Sequence, residues 1–293
     1  MQKKPKLGLS LMPTADYHQA TKSLIENNQV QVVEWGFDFS WDPADIEPWC
    51  RKVIDHFSES NSLIGHGVSF SLLSARFSDR QRDWLANAKK EFKRRNYIHA
   101  TEHFGFSEAG PVVKGAPLAV PMNAESLGKG KEMMKRFSDA ARCPVGLENL
   151  AFAFGLEDVK RQGDFINQLI SHVDGFLLLD LHNIFCQLEN FDVSLDNLLN
   201  SYPLDKVREI HVSGGSWSQS VSGKNRVFVR RDTHDEAVPQ EVFNLVGVAL
   251  KLCPNIEYVI LERLGNTMED KDSQEEFRQD YETLVQILEL NHV

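Results

Sequence analysis

Short apolar runs bounded by polar residues, Gly or Pro recur along the chain, and amphipathic segments with helical spacing lie between them. A strand buried on both faces of a parallel sheet has such a continuous apolar run rather than an alternating pattern. The pattern predicts strands at Lys6–Met12, Val30–Phe37, Ser62–Phe70, Tyr97–Phe104, Cys143–Ala151, Gly175–Asn183, Val207–Gly214 and Glu257–Leu264. It predicts helices at Pro48–Phe57, Asp79–Arg95, Glu125–Ala141, Asp164–His172, Leu195–Ser201, Pro239–Leu252 and Ser273–Leu290.

Strand and helix alternate through the whole chain, without a linker rich in Pro, Gly or Ser. Eight such units predict an α/β protein with a (β/α)8 barrel, a TIM barrel, and such barrels commonly fill about 250 residues as one domain. An open doubly wound sheet has the same local alternation and stays an alternative. We expect residues 1–293 to form a single barrel domain.

The charge balance narrows the choice of partners. Lys and Arg together number 32 against 42 Asp and Glu, a net charge of -10 that disfavours nucleic acid. No apolar stretch approaches the roughly 20 residues that span a bilayer, so we expect no membrane partner. The first apolar run is too short for a secretory signal, and the cysteines form no C-x-x-C pair, so we expect a cytoplasmic protein with reduced thiols.

Candidate chemistry lies where the apolar runs end, because the active site of a (β/α)8 barrel forms at the carboxyl ends of its strands. Metal-ligand residue types stand near the ends of six runs, namely His66, His103, Glu148, Asp180, His211 and Glu262. Asp232 and His234 follow the seventh predicted strand on the same face. Imidazoles and carboxylates without thiolates suit iron, manganese or zinc, and one ion rarely needs more than about six side chains. The set therefore predicts at least two metal ions.

A single His or Glu at a strand end is more often a hydrogen-bonded structural residue than a ligand. Buried charges, however, are tolerated mainly when they are paired or bound to a metal, and here six strands carry such a residue. The combination favours a metal cluster. Strand alternation sends Glu102 and His103 to opposite faces, so Glu102 is expected to face the helices or to support a ligand.

Short motifs occur in a recognisable order: His66-Gly67-Val68-Ser69, Glu102-His103, Leu147-Glu148-Asn149, Leu178-Leu179-Asp180-Leu181-His182-Asn183, Glu209-Ile210-His211-Val212-Ser213-Gly214, Asp232-Thr233-His234-Asp235 and Leu261-Glu262-Arg263. In this order they resemble the multinuclear non-heme iron-dependent oxidative enzymes, a family that includes the iron enzymes of methanobactin and thiaglutamate biosynthesis. The resemblance covers nearly the whole chain.

The resemblance implies a barrel of the xylose-isomerase-like type and an oxidoreductase that uses O2 as co-substrate. It also implies that the enzyme modifies Cys, or another residue, of a ribosomally made precursor peptide that a small companion protein presents. The implied ligands of two or three iron ions are His66, His103, Glu148, Asp180, Asn183, His211, Asp232, His234 and Glu262.

One position departs from the family pattern. Many members have two Asn residues after Asp-x, whereas this chain has Asp180-Leu181-His182-Asn183. A regular strand would put His182 on the same face as Asp180 and turn Asn183 away. The family pattern favours Asn183 as the ligand, which requires the chain to turn just after Asp180. His182 is then a candidate acid/base group, or an alternative ligand.

Other enzyme classes have related sites. A trinuclear-zinc apurinic endonuclease has a similar ligand set, but the acidic charge argues against it, as does Asn183, where those nucleases have His. If the chain were a sugar isomerase with one or two divalent ions, His66 and His103 would have no clear role. A metal-stabilised binding protein would not need open coordination positions.

Overall fold

In the computed structural model, which describes residues 4–109, 112–222 and 225–291, eight parallel strands close into a barrel. They are β1 (Lys6–Leu11), β2 (Val32–Gly36), β3 (Leu63–Gly67), β4 (Ala100–His103), β5 (Val145–Glu148), β6 (Phe176–Asp180), β7 (Val207–Ser213) and β8 (Tyr258–Glu262). Each strand pairs with its neighbours in the chain, and β8 pairs with β1 to close the ring. The predicted (β/α)8 barrel is confirmed, and the open-sheet alternative is wrong.

Helices connect the strands. They are α1 (Ala15–Glu26), α2 (Pro48–Glu59), α3 (Asp79–Arg94), α4 (Ala124–Ala141), α5 (Leu156–Ile170), α6 (Leu181–Asn190), α7 (Leu195–Leu199), α8 (Gln240–Leu252) and α9 (Lys271–Leu290). In α3 the capping box of Ser78 and Gln81 satisfies backbone N–H groups at the first turn. No helix of the described residues is both long and apolar enough to cross a bilayer.

Several predicted boundaries were wrong. Helix α1 was not predicted, α5 begins at Leu156 rather than at Asp164, and residues 181–183 belong to α6 rather than to a strand. The paired strands are also shorter than the apolar runs. The run that ends at Phe70, for example, leaves β3 at Gly67, and Phe70 is buried by stacking on Trp84 with ring centroids 4.4 Å apart. Burial by packing thus lengthens an apolar run beyond its strand.

Two antiparallel hairpins, which were not predicted either, follow barrel strands on the side where those strands end. The first pairs Phe106–Ala109 with Val112–Leu118 after β4, and the second pairs Trp217–Ser222 with Asn225–Arg230 after β7. They belong to the loops at the carboxyl ends of the strands, the usual place of an active site in this fold.

The barrel interior changes from apolar to polar along the strands. Val32, Ile64, Tyr258 and Ile260 form a small buried cluster separate from the main core. The cluster lies on β2, β3 and β8. Two residues after Val32, Ile64 and Ile260 come Glu34, His66 and Glu262, which are all buried. Because residues two apart share a strand face, these polar side chains also point into the barrel.

Candidate metal centre

Three neighbouring strands bring one compact group of ligand atoms together. His66, next to the last residue of β3, lies beside His103 and Glu148, the last residues of β4 and β5. The two His Nε2 atoms lie 3.4 Å apart, and Glu148 Oε2 lies 3.5 Å from His66 Nε2 and 3.3 Å from His103 Nε2. Two donors bound to one ion at 2.0–2.2 Å stand about 3.0–3.5 Å apart. The triangle therefore has the size of a metal site.

The later strands supply a second set of ligand atoms. Nδ1 of His211 lies 3.0 Å from Oε2 of Glu262, and the same oxygen lies 3.8 Å from Nδ1 of His234. Asp180 has an oxygen within 4.8 Å of ligand atoms of His234 and Glu262. These residues come from β6, from β7, from β8 and from the loop that precedes α8.

Ligand atoms within 4.8 Å of one another define four groups in the described part of the chain. They are His66/His103/Glu148, Glu34/His211/Glu262, Glu148/Asp180/His211 and Asp180/His234/Glu262. The groups are linked, because Glu148, Asp180, His211 and Glu262 each belong to two of them. Shared carboxylates are what a cluster of neighbouring ions requires, since a carboxylate can bind one ion with each oxygen.

Several atoms of these groups have no hydrogen-bond partner among the described residues although they are buried. Examples are Glu148 Oε2 and Asp180 Oδ2. A buried polar atom without a partner costs roughly 1–3 kcal/mol, so such atoms are uncommon in a finished core. Bound cations would satisfy all of them, and the donor set of imidazole nitrogens and carboxylate oxygens suits iron, manganese or zinc.

Asn183 reaches the same place because the chain turns at the end of β6. Asp180 caps α6 by accepting a hydrogen bond from the backbone N–H of Asn183, as the predicted turn requires. The Asn183 Nδ2 group donates to the carbonyl oxygen of Asn149 at 2.9 Å and to Oε1 of Glu148 at 3.3 Å. Its Oδ1 is buried and unbonded in the described structure. The amide thus presents a free oxygen beside Glu148.

Asp232 and His182 lie next to the groups rather than within them. Asp232 Oδ1 is 2.6 Å from Nε2 of His234 and 3.4 Å from Nδ1 of His182. The Nε group of Arg230 donates to Nε2 of the fully buried His182 at 3.3 Å. Burial lowers the pKa of His182, against the opposing effect of Asp232. His182 is therefore a neutral imidazole near pH 7, outside the four groups found in the described residues.

The buried carboxylates and imidazoles of this pocket shift one another's pKa values. Burial raises the pKa of Glu148 to about 7, and burial together with nearby Asp232 raises the pKa of Asp180 well above its ordinary value. Although burial alone would lower it, the pKa of His211 is raised by Glu262 and Glu34. Without a cation, the carboxylates thus hold protons, or share them with imidazoles, in order to remain buried. Metal ions could replace those protons.

Glu34 was not predicted as a site residue, yet its Oε2 lies 3.0 Å from Nε2 of His211. It is fully buried on β2, in the middle of the run Val32-Val33-Glu34-Trp35. The sequence did contain one sign of its role, a carboxylate inside an apolar run. A charge in such a place is tolerated mainly when it is paired or bound to a metal. Glu34 was not among the predicted ligands because it comes before the end of its apolar run.

The fold is similar to that of several solved barrels. A D-psicose 3-epimerase of Clostridium cellulolyticum matches with a TM-score of 0.61 at 12% identity, over 98% of this chain and 100% of that one. Endonuclease IV of Thermus thermophilus matches with a TM-score of 0.55 at 15% identity, over 96% and 100% of the two chains. A xylose isomerase-like TIM barrel protein of Mycobacterium smegmatis also matches, with a TM-score of 0.51 at 12% identity, over 95% and 90%. The barrel is therefore of the predicted xylose-isomerase-like type.

Sequence relatives extend across several bacteria. A UPF0276 protein of Rhizobium meliloti is 26% identical over 67% of this chain and 62% of its own length, and one of Paraburkholderia phytofirmans is 30% identical over 50% and 48%. The chain thus matches less than two thirds of either relative. A UPF0276 protein of Neisseria meningitidis is 24% identical over 82% of both chains.

The family model described as RiPP precursor modification enzyme MbnB/TglH/ChrH matches residues 21–284. The chain belongs to the MbnB/TglH/ChrH family of RiPP precursor modification enzymes.

Proposed function

We propose that the protein is a multinuclear non-heme iron enzyme that uses O2 to modify a residue, by preference Cys, of a ribosomally made precursor peptide. The observation that carries the proposal is the set of linked ligand groups at the carboxyl ends of the strands. In this proposal two or three irons are held by His66, His103, Glu148, Asp180, Asn183, His211, Asp232, His234 and Glu262. Membership of a peptide-modifying family supports the choice of substrate.

Iron ions bound here would supply the single-electron chemistry that O2 needs to react with a closed-shell thiol or hydrocarbon. The protein holds the donors in place before binding, because Glu148, Asp180 and Glu262 are fixed at the ends of consecutive or nearby strands. These carboxylates supply the negative charge that balances several dications. The Asn183 oxygen is neutral and therefore a weaker donor, which suits a position where substrate must enter.

His182 is the proposed acid/base group. Because Arg230 donates to its Nε2, the proton of the neutral ring resides on Nδ1, which faces Asp232, and the ring takes up a further proton at Nε2 when Arg230 releases that nitrogen. Asp232 in turn contacts His234, so a proton accepted at His182 can be balanced by a carboxylate that already belongs to the site. The lowered pKa of His182 keeps the ring available as a proton acceptor near neutral pH.

A rim of exposed aromatic side chains supports a protein or peptide partner. Phe152 and Phe154 lie on the loop after β5, and Trp217 and Phe228 lie on the second hairpin; their exposed fractions are 53%, 63%, 46% and 65%. Large exposed aromatic residues near an active site are typical of binding surfaces. We propose that they contact the precursor peptide and a small companion protein, and that nucleic acid and membranes are not partners.

The test is anaerobic purification followed by elemental analysis and a turnover assay. We expect two or three irons per chain, O2-dependent mass change of a Cys-containing precursor encoded beside the gene, and loss of that change after iron removal. The main alternative is a zinc nuclease. Zinc as the only metal, with cleavage of DNA at abasic sites, would replace the proposal by that alternative.

A further inference from the structure

Two proposed ligands use their second ring nitrogen to contact an oxygen on a neighbouring strand of the barrel. Nδ1 of His66 lies 2.8 Å from Oγ1 of Thr101 on β4, and Nε2 of His211 lies 3.0 Å from Oε2 of Glu34 on β2. All four side chains are buried. Neither Thr101 nor Glu34 belongs to the proposed ligand set, so the two contacts need their own explanation.

The hydroxyl of Thr101 determines which nitrogen of His66 carries the proton. We assign its single hydrogen to the carbonyl oxygen of Gly65, 3.4 Å away, which can only accept. Toward His66 the hydroxyl can then act only as an acceptor, so Nδ1 of His66 is the protonated nitrogen. The Nε2 lone pair is left facing Glu148 Oε2 and Nε2 of His103.

Glu34 fixes the other tautomer in His211, with the hydrogen on Nε2 instead of Nδ1. A carboxylate is an acceptor, so Nε2 of His211 carries the hydrogen that Glu34 binds. When the ring is neutral, its lone pair is then on Nδ1, which lies 3.0 Å from Oε2 of Glu262. The two histidines therefore present different ring nitrogens to the pocket.

The position of Glu34 relative to the ring favours a supporting residue over a ligand. Glu34 contacts Nε2 and Glu262 contacts Nδ1, which lie on different edges of the imidazole ring. Glu34 also has an oxygen within 4.8 Å of ligand atoms of His211 and Glu262, so the number of zinc ions bound by a Glu34 variant decides between a supporting residue and a ligand. The nearby Glu209 does not replace Glu34, because its Oε2 is bonded to His99 at 2.7 Å and its Oε1 is 3.8 Å from His211.

We infer that Glu34 and Thr101 are positioning residues that fix the tautomers of His211 and His66, so that Nδ1 of the former and Nε2 of the latter bind metal. The inference rests on the proposed function, because it takes both histidines as ligands. Supporting hydrogen bonds of this kind strengthen metal binding by about 10- to 100-fold.

Zinc(II) is the probe for the test, since it binds the same donors without redox chemistry. Zinc affinity is measured by competition with a chromophoric chelator, and the number of zinc ions bound at saturation is counted. We expect Thr101→Val to weaken binding about 10-fold and Thr101→Ser, which keeps the hydroxyl, to restore it. Glu34→Gln is expected to weaken binding by a similar factor while leaving the zinc count at saturation unchanged.

A control variant and a spectroscopic signature separate positioning from general destabilisation. Glu91 is a comparably buried carboxylate, bonded to Arg95 and Tyr97 outside the barrel, so Glu91→Gln should lower the melting temperature without changing zinc affinity. Nitrogen NMR of the zinc-loaded, 15N-histidine-labelled protein should show His66 protonated at Nδ1 and His211 at Nε2.

The inference is overturned if Thr101→Val and Glu34→Gln bind zinc as tightly as the wild type, or if the NMR spectrum shows the opposite tautomers. Loss of one whole zinc ion in Glu34→Gln also overturns it, because Glu34 would then be a ligand. These results leave the proposed function standing. A wild-type protein that binds neither zinc nor iron tightly would instead refute the proposed function and this inference together.

Discussion

Asn183 donates its Nδ2 group to Oε1 of Glu148 at 3.3 Å, which joins the start of α6 to the end of β5. The same group donates to the carbonyl oxygen of Asn149, so both amide hydrogens are in use. This orientation leaves the buried Oδ1 without a hydrogen-bond donor. A buried acceptor without a partner destabilises the folded state by roughly 1–3 kcal/mol. This orientation favours a role for the oxygen as a metal ligand.

Removal of metal should destabilise the protein. Without ions, buried carboxylates such as Glu148 and Asp180 must hold protons or repel one another. Each tightly bound ion adds about 3 kcal/mol at a free concentration of 100 Kd, so chelation should lower the melting temperature by about 10 °C. Calorimetry before and after anaerobic chelation measures this. Restoration by iron(II) is the control, and an unchanged melting temperature would contradict the metal cluster.

Glu148 should affect more than one ion. It belongs both to the group of His66 and His103 and to the group of Asp180 and His211. Glu148→Gln removes the shared charge, so we expect the loss of at least one metal equivalent and a drop in turnover of more than about 100-fold. Elemental analysis and circular dichroism measure metal content and folding.

The matched control for that variant is Glu257→Gln. Glu257 precedes β8 at the opposite end of the barrel, where its half-exposed side chain pairs with Arg208 at 3.1 Å. This substitution should leave the metal content unchanged. Full metal occupancy in Glu148→Gln would mean that the shared carboxylate is a structural residue.

The barrel could be predicted from the sequence because each buried parallel strand is a continuous apolar run. The carboxyl end of each run also indicates where the active site lies. His66, His103 and Glu148 could be found in this way, since each is the last or the second-last residue of its paired strand. The position of Asn183 could not be predicted from periodicity. Leu181 and Ile184 continue the apolar pattern, and only the side-chain cap by Asp180 turns the chain into α6.

Other features depend on contacts between distant parts of the chain. The tautomer-setting contact of Glu34 with His211 joins residues 177 positions apart, and no local pattern encodes such a pair. The two hairpins were missed for a related reason. They lie beside the barrel rather than in it, and Phe228 on the second hairpin is 65% exposed, so burial in the main core did not select this apolar residue.

Asp280 gives a stability prediction that is independent of the metal site. It lies on α9, accepts a hydrogen bond from the Val238 backbone at 3.0 Å, and has its pKa raised to about 6 by burial. The folded protein then binds the proton more tightly than the unfolded chain, so stability is lost as pH rises from about 4 to about 6.

Asp280→Asn keeps an acceptor for Val238 and removes the buried charge. We expect it to raise the free energy of unfolding by about 2 kcal/mol at pH 8 and to have little effect near pH 4. Urea denaturation at both pH values measures the difference. Glu282→Gln, on the exposed side of the same helix, should show neither effect. Equal stability of wild type and Asp280→Asn at pH 8 would show that the carboxylate is not penalised by burial.

The final prediction separates the roles of Asn183 and His182, which are adjacent at the start of α6. Asn183→Ala deletes the unbonded amide oxygen beside Glu148 and should empty or weaken one iron position. His182→Gln should retain its iron, because the ring is engaged by Arg230 and Asp232 rather than by the four ligand groups of the described residues.

The two variants should also differ in rate. His182→Gln removes a neutral imidazole that can accept a proton, so we expect turnover to fall by about 100-fold at full iron content, with loss of the acidic limb of the pH-rate profile. Asn183→Ala should regain part of its activity when excess iron(II) is supplied, since its defect is in binding. Iron analysis and single-turnover kinetics on both proteins measure these outcomes. Iron lost from His182→Gln and retained in Asn183→Ala would reverse the assignment and make the site resemble that of a zinc nuclease, with an imidazole in place of the amide oxygen.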